Sequence, residues 1–168
     1  MTNTEIRAVF LDIDGTIVHD GKLMPSAMEA VSRLQSRGIK VGLCTGRSIL
    51  HTEPIQTRLQ IQHAVYFNGG LTVSQSNLIA SSPLEQSVVR KIMQFSDRHH
   101  LPIILHSRHD TLITHPIPNQ FKWILDSYQF PPLIEISDDR EPANSIYQSN
   151  LFADTRWDRV LQTEIPEC

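Results

Sequence analysis

Short apolar runs alternate with helix-period segments along residues 6 to 80, the pattern of βα units on a parallel sheet. Ala8-Val9-Phe10-Leu11 places four apolar residues in a row, which predicts a strand in a sheet covered on both faces. A polar loop follows, and then Ala27, Ala30, Val31 and Leu34 at i, i+3, i+4 and i+7 predict a helix. Pro25 suits its first position and Gly38 the left-handed position just past its end. Val41-Gly42-Leu43-Cys44 predicts a second strand and Ala64-Val65-Tyr66-Phe67 a third. Between them, residues 48 to 60 read as a helix whose Pro54 belongs in the first turns or kinks it. Leu71 to Ser74 and Leu78 to Ala80 flank Gln75-Ser76-Asn77 as a hairpin.

The texture changes beyond residue 82. Ser82-Pro83-Leu84-Glu85 reads as a capping box with proline at the first helical position. It predicts a helix with Leu84, Val88, Ile92 and Phe95 along its apolar stripe. Short strands are expected at 103–106, 111–114, 133–136 and 146–152, with a helix near 119–128. The fold class is therefore α/β, a parallel-sheet core over residues 1–82 followed by an α+β segment over 83–168.

Composition narrows the function. The 168 residues are 40% hydrophobic and 20% charged, enough apolar material for a core. A net charge of −3 argues against a nucleic-acid-coating protein. No apolar run reaches the ~18 to 20 residues a membrane span needs, and Met1 to Glu5 has no basic start of a signal peptide. Cys44 and Cys168 form no metal or redox motif. The expectation is a soluble, cytoplasmic protein with neither nucleic-acid nor membrane partners.

The strongest chemical signal is Asp12-Ile13-Asp14-Gly15-Thr16, directly after the first strand. Two carboxylates at i and i+2 of a strand end can both reach the crevice at the carboxyl edge of the sheet. One can attack phosphorus while the other moves a proton, and both can help hold a hard cation. The bland alternative is an acidic strand end with an Asp-Gly turn. Thr45-Gly46-Arg47 closes the second strand and opens a helix, a setting suited to a phosphate oxygen. Asn68-Gly69-Gly70 ends the third strand and adds another polar loop, which also reads as a turn into the hairpin.

In that order, D-x-D-G-T, T-G-R and N-G-G, residues 6 to 80 resemble the haloacid dehalogenase (HAD) superfamily of aspartate-nucleophile phosphatases, and within it the Cof-type group. The resemblance implies a HAD-like Rossmannoid core and a Mg²⁺-dependent phosphatase acting on a small phosphorylated metabolite through an aspartyl phosphate. It implies Asp12 as nucleophile and Asp14 as general acid/base, with both at the Mg²⁺ site and the Asp14 backbone carbonyl on the metal. Thr45 and Gly46 would bind the phosphate, with Arg47 and Asn68 as neighbours in the phosphate-binding set. A cap inserted after the third core strand would match the change near residue 82.

Two elements that the resemblance implies are not identifiable: a charge-neutralising lysine and a late G-D-x-x-N-D loop completing the metal shell. The lysines are Lys22, Lys40, Lys91 and Lys122, none where such a phosphatase places one. On this reading the chain stops inside the cap, shows little turnover, and self-associates through the uncovered edge of its first strand. The alternatives are a non-catalytic relative that binds a phosphometabolite or a partner, and a capless phosphatase using Asp138 and Asp139 at the end of Leu133 to Ile136. His99, His100, His106, His109 and His115 invite a metal site but lack its spacing. Trp123 and Trp157 are expected in packing.

Overall fold

The computed structural model describes residues 5–128, 130–136 and 142–165. The chain divides into two compact units, Met1–Ser82 and Pro83–Cys168.

The first unit opens with strand β1 (Ala8–Leu11), followed by a small hairpin of β2 (Val18–His19) and β3 (Lys22–Leu23). Helix α1 (Pro25–Ser36) starts on Pro25 at its first turn, and Gly38, at φ +75°, lies just beyond its end. There the amides of Gly38 and Ile39 return to the Gln35 and Leu34 carbonyls. Strand β4 (Lys40–Cys44), helix α2 (Ile49–Leu59) and strand β5 (His63–Tyr66) follow, then β6 (Leu71–Ser74) and β7 (Asn77–Ser81). Pro54 sits inside α2, so the Leu50 carbonyl loses its donor there. Ser48 caps the helix, its hydroxyl accepting from the His51 amide at 3.2 Å.

The sheet order is β1-β4-β5-β6-β7. β1, β4 and β5 run parallel, in register Phe10 to Gly42 and Gly42 to His63, while β6 and β7 fold back antiparallel. Parallel pairing sends the loops after β1, β4 and β5 to one carboxyl edge. α1 packs on β4 and meets α2, and Val31, Val41, Leu43, Leu59 and Ile61 are among the buried core residues.

The first strand departs from expectation. β1 pairs only with β4 among the described residues, and its side chains are exposed or half-buried. Phe10 is 57% exposed, its ring lying over Gly42, where an added Cβ would meet it at 2.5 Å. An edge position with no described layer over that face explains why a run of four apolar residues is not buried here.

The second unit begins with α3 (Gln86–His99). The predicted capping box does not form: Glu85 is the N-cap residue with no side-chain cap, and the helix starts three residues beyond Pro83. The preceding segment is held by strand neighbours instead, the Ser82 amide bonding the Gly70 carbonyl and the Leu84 amide the Ile146 carbonyl. Then come β8 (Ile103–Ser107), β9 (Thr111–Ile113), α4 (Lys122–Ser127), β10 (Ile134–Glu135), β11 (Ile146–Leu151) and α5 (Asp158–Glu164). The sheet order is β10-β9-β8-β11. One apolar cluster joins Val89, Ile92 and Phe95 to Leu105 and Ile165; another gathers Ile104, Ile113, Ile117 and Phe152. Trp157 packs edge-on against Phe95, whereas Trp123 is 61% exposed, against the expectation of packing.

The histidines take separate partners: His99 bonds Glu164, His106 bonds Asn150, and His115 faces Asp97. Asp138 and Asp139 lie outside the described residues. The strand before them, β10, belongs to the second unit's own sheet rather than to the sheet carrying Asp12.

Candidate active site

Asp12 follows β1 directly and is exposed; its Oδ1 accepts the Ile13 amide at 2.7 Å. Ile13 is fully buried and anchors the loop, because its carbonyl collects the amides of Thr16, Ile17 and Val18. Gly15 takes φ +74°, a conformation other residues avoid, and its amide reaches the Val18 carbonyl at 2.9 Å. The result is a tight turn that holds both carboxylates outside the core. Thr16 ties it through its amide, which bonds the Ile13 carbonyl at 3.3 Å.

The second loop closes β4. Thr45 is buried, its amide bonded to the Val65 carbonyl at 2.9 Å. Its Oγ1 accepts the Arg47 amide at 3.1 Å, so the hydroxyl proton remains available to an outside acceptor. Gly46 and Arg47 lead into the Ser48-capped start of α2, where helix-end amides and dipole favour an anion.

The decisive contact crosses between loops. The Arg47 guanidinium grips Asp14 in a two-point fork, Nη2 to Oδ1 at 2.6 Å and Nε to Oδ2 at 2.9 Å. Asn68, in the third loop, donates its amide to the Thr45 carbonyl and rests its carboxamide against Gly46. Every proposed site residue thus lies at one sheet edge, with Asp14 joined to Arg47 and Asn68 to Thr45 and Gly46. The lysines differ: Lys40 opens β4 at the opposite edge of the sheet, and Lys22 sits in β3.

The oxygen donors suit a hard cation. The turn's amides go to Ile13 and Val18, which leaves the Asp14 carbonyl outside its hydrogen bonding. Asp12 Oδ2 and that carbonyl are hard oxygens of the kind Mg²⁺ takes, alongside waters it keeps. Among the described residues no cluster of three or more His, Cys, Asp or Glu side chains is placed to hold a metal.

A sequence profile of the haloacid dehalogenase-like hydrolases matches residues 9–167. The chain belongs to this family. YkrA of Bacillus subtilis, provisionally named a phosphatase, is 31% identical over 99 residues, 58% of this chain and 38% of its own length. A hypothetical protein of Geobacillus kaustophilus superposes with a TM-score of 0.83 at 26% identity, covering 97% of this chain and 64% of that one. The HAD subclass IIB sugar phosphatase BT4131 shares the fold with a TM-score of 0.80 at 23% identity, over 96% and 64% of the two chains. The chain thus spans less than two thirds of the length of each of these proteins.

Sequence reading missed the fork between Arg47 and Asp14, which are 33 positions apart. It also missed the backbone at Phe67 and Asn68, both at positive φ. Neither leaves a periodic or compositional trace.

Proposed function

We propose that this chain carries the phosphoryl-transfer half-site of a Mg²⁺-dependent phosphatase acting on a phosphate monoester of a small cytoplasmic metabolite. The observation behind this reading is the convergence of the three motif loops at one sheet edge, with Asp14 gripped by Arg47 and Asn68 laid against Gly46. Membership in the HAD-like hydrolases and the names of YkrA and BT4131 support it.

In this proposal Asp12 Oδ2 attacks phosphorus and the bond to the leaving alkoxide breaks. Asp14 gives that oxygen its proton and then takes one from the water that cleaves the aspartyl phosphate. Thr45 Oγ1–H and the Gly46 amide donate to phosphoryl oxygens. Mg²⁺, held by Asp12 and the Asp14 carbonyl, would supply charge neutralisation of the phosphoryl group when bound. Arg47 orients Asp14 beforehand.

The test is release of the leaving group from a generic aryl phosphate, with and without Mg²⁺, beside an identically prepared Asp12→Asn control. The expected release requires Mg²⁺ and vanishes in the control. Its rate is slow, because no lysine of the first unit lies at that sheet edge among the described residues and one lost transition-state stabiliser costs about 10²- to 10³-fold. Release that survives Asp12→Asn would overturn the assignment. A second reading, phosphate binding without turnover, is favoured by the occupation of both Asp14 oxygens by Arg47. It predicts saturable phosphate binding with no release at all.

A further inference from the structure

Three oddities meet at one side chain. Phe67 and Asn68 both adopt left-handed backbone, at φ 52° and 53°, although neither is glycine. A bulky residue such as Phe67 holds that conformation only where surrounding structure fixes it. Here the fixing contacts are backbone bonds to the second loop: the Phe67 amide to the Arg47 carbonyl at 3.2 Å and the Asn68 amide to the Thr45 carbonyl at 3.1 Å. Gly46 is the third oddity. A Cβ there would fall 2.9 Å from Asn68 Oδ1 and 3.1 Å from Nδ2, so the absent side chain is the space that the carboxamide occupies.

Those backbone bonds fix the turn but leave the Asn68 side chain itself without a role in it. The Asn68 side chain is exposed, and among the described residues its carboxamide takes no hydrogen bond. The turn and the glycine together leave an exposed carboxamide lying against Gly46, in the loop that carries Thr45. We infer that Asn68 Nδ2–H is a third donor to the bound phosphoryl group, and that the left-handed turn at 67–68 exists to present it. This rests on the phosphate-site reading above and assigns Asn68 a direct contact rather than a place nearby.

The test uses the full chain, ¹⁵N-labelled, titrated with inorganic phosphate in the presence of Mg²⁺. In the wild type the Asn68 Nδ2 and Gly46 amide signals should shift together and saturate. Asn68→Gly keeps the left-handed turn and removes the donor; it should melt close to wild type and bind phosphate about tenfold more weakly. Asn68→Asp also tolerates the turn but turns a carboxylate toward the anion, so it should bind more weakly still. A purely structural role predicts instead that both variants bind like wild type, and that result overturns the inference. A shift at Gly46 without one at Asn68 Nδ2 overturns it too, while leaving the phosphate site standing. If neither signal moves in the wild type, both the site reading and this inference fall.

Discussion

Removing the Arg47 guanidinium should loosen Asp14 by a measurable and calculable amount. The pair is bidentate, at 2.6 and 2.9 Å, with the Arg47 side chain 14% exposed and that of Asp14 47% exposed. Charge-assisted hydrogen bonds contribute about 1.5 to 3 kcal/mol when water is excluded. Exposed ion pairs contribute only about 0.2 to 1 kcal/mol. The near-buried arginine and fixed fork argue for the first range, and the half-wet carboxylate for the second. A coupling of about 1 kcal/mol follows. The assay is a double-mutant cycle of Arg47→Ala and Asp14→Ala. Trp123 and Trp157 both lie in the second unit, so fluorescence would report the wrong half. Hydrogen exchange at the strand amides of Leu43 and Val65 reads the first unit directly. Arg47→Lys should restore less than half the coupling, because an ammonium cannot make the fork. Coupling below about 0.3 kcal/mol, within ordinary additivity error, would refute the idea that Arg47 holds Asp14 in place.

Gly46→Ala should cost stability under about 0.5 kcal/mol, because the exposed Asn68 side chain can swing aside. Phosphate affinity should nevertheless fall, as a titration of the variant would show. Burial lowers the pKa of His106 from 6.5, against the opposing hydrogen bond to Asn150 Oδ1. The unfolded chain therefore takes up this proton first as pH falls, and stability of the second unit should be full above pH 6.5 and decline from there through the lowered folded value. Tryptophan-monitored denaturation at pH 7.5 and 5.5 should show this loss, and a His106→Gln variant should lose less on acidification; equal losses would contradict it. Phe10 at 57% exposure and Ile79 at 62% lie in the sheet whose edge, among the described residues, is β1. Light scattering should accordingly show concentration-dependent self-association, which Phe10→Lys should reduce.

The parts of the fold set by local pattern were legible in the sequence. The apolar runs at 8–11, 41–44 and 64–67 lie within a residue of β1, β4 and β5, and Pro25 and Gly38 bracket α1 as their backbone preferences require. What failed depended on distant neighbours. β2 and β3 are two residues each and carry no period. The 82–85 segment had the residues of a capping box, but partners at Gly70 and Ile146 took its amides first. Exposure of Phe10 depends on what lies over the sheet, which a run of apolar letters does not encode. At the site, the acidic and glycine motifs marked the three loops that meet at one sheet edge, because each motif is local. The grip of Arg47 on Asp14 and the left-handed turn at Asn68 appeared only once the strands brought those loops together.

The central claim is that Asp12 is the nucleophile. The most direct measurement is to incubate the chain with an aryl phosphate and Mg²⁺, quench in acid, reduce with borohydride and map the modified residue by peptide mass spectrometry. An acyl phosphate on aspartate is reduced at that carboxyl group, which marks the attacking residue. The account predicts a mark on Asp12 alone, absent from Asp12→Asn and present in Asp14→Asn, where proton transfer rather than attack is impaired. A mark on Asp14, or one that persists in Asp12→Asn, would contradict it.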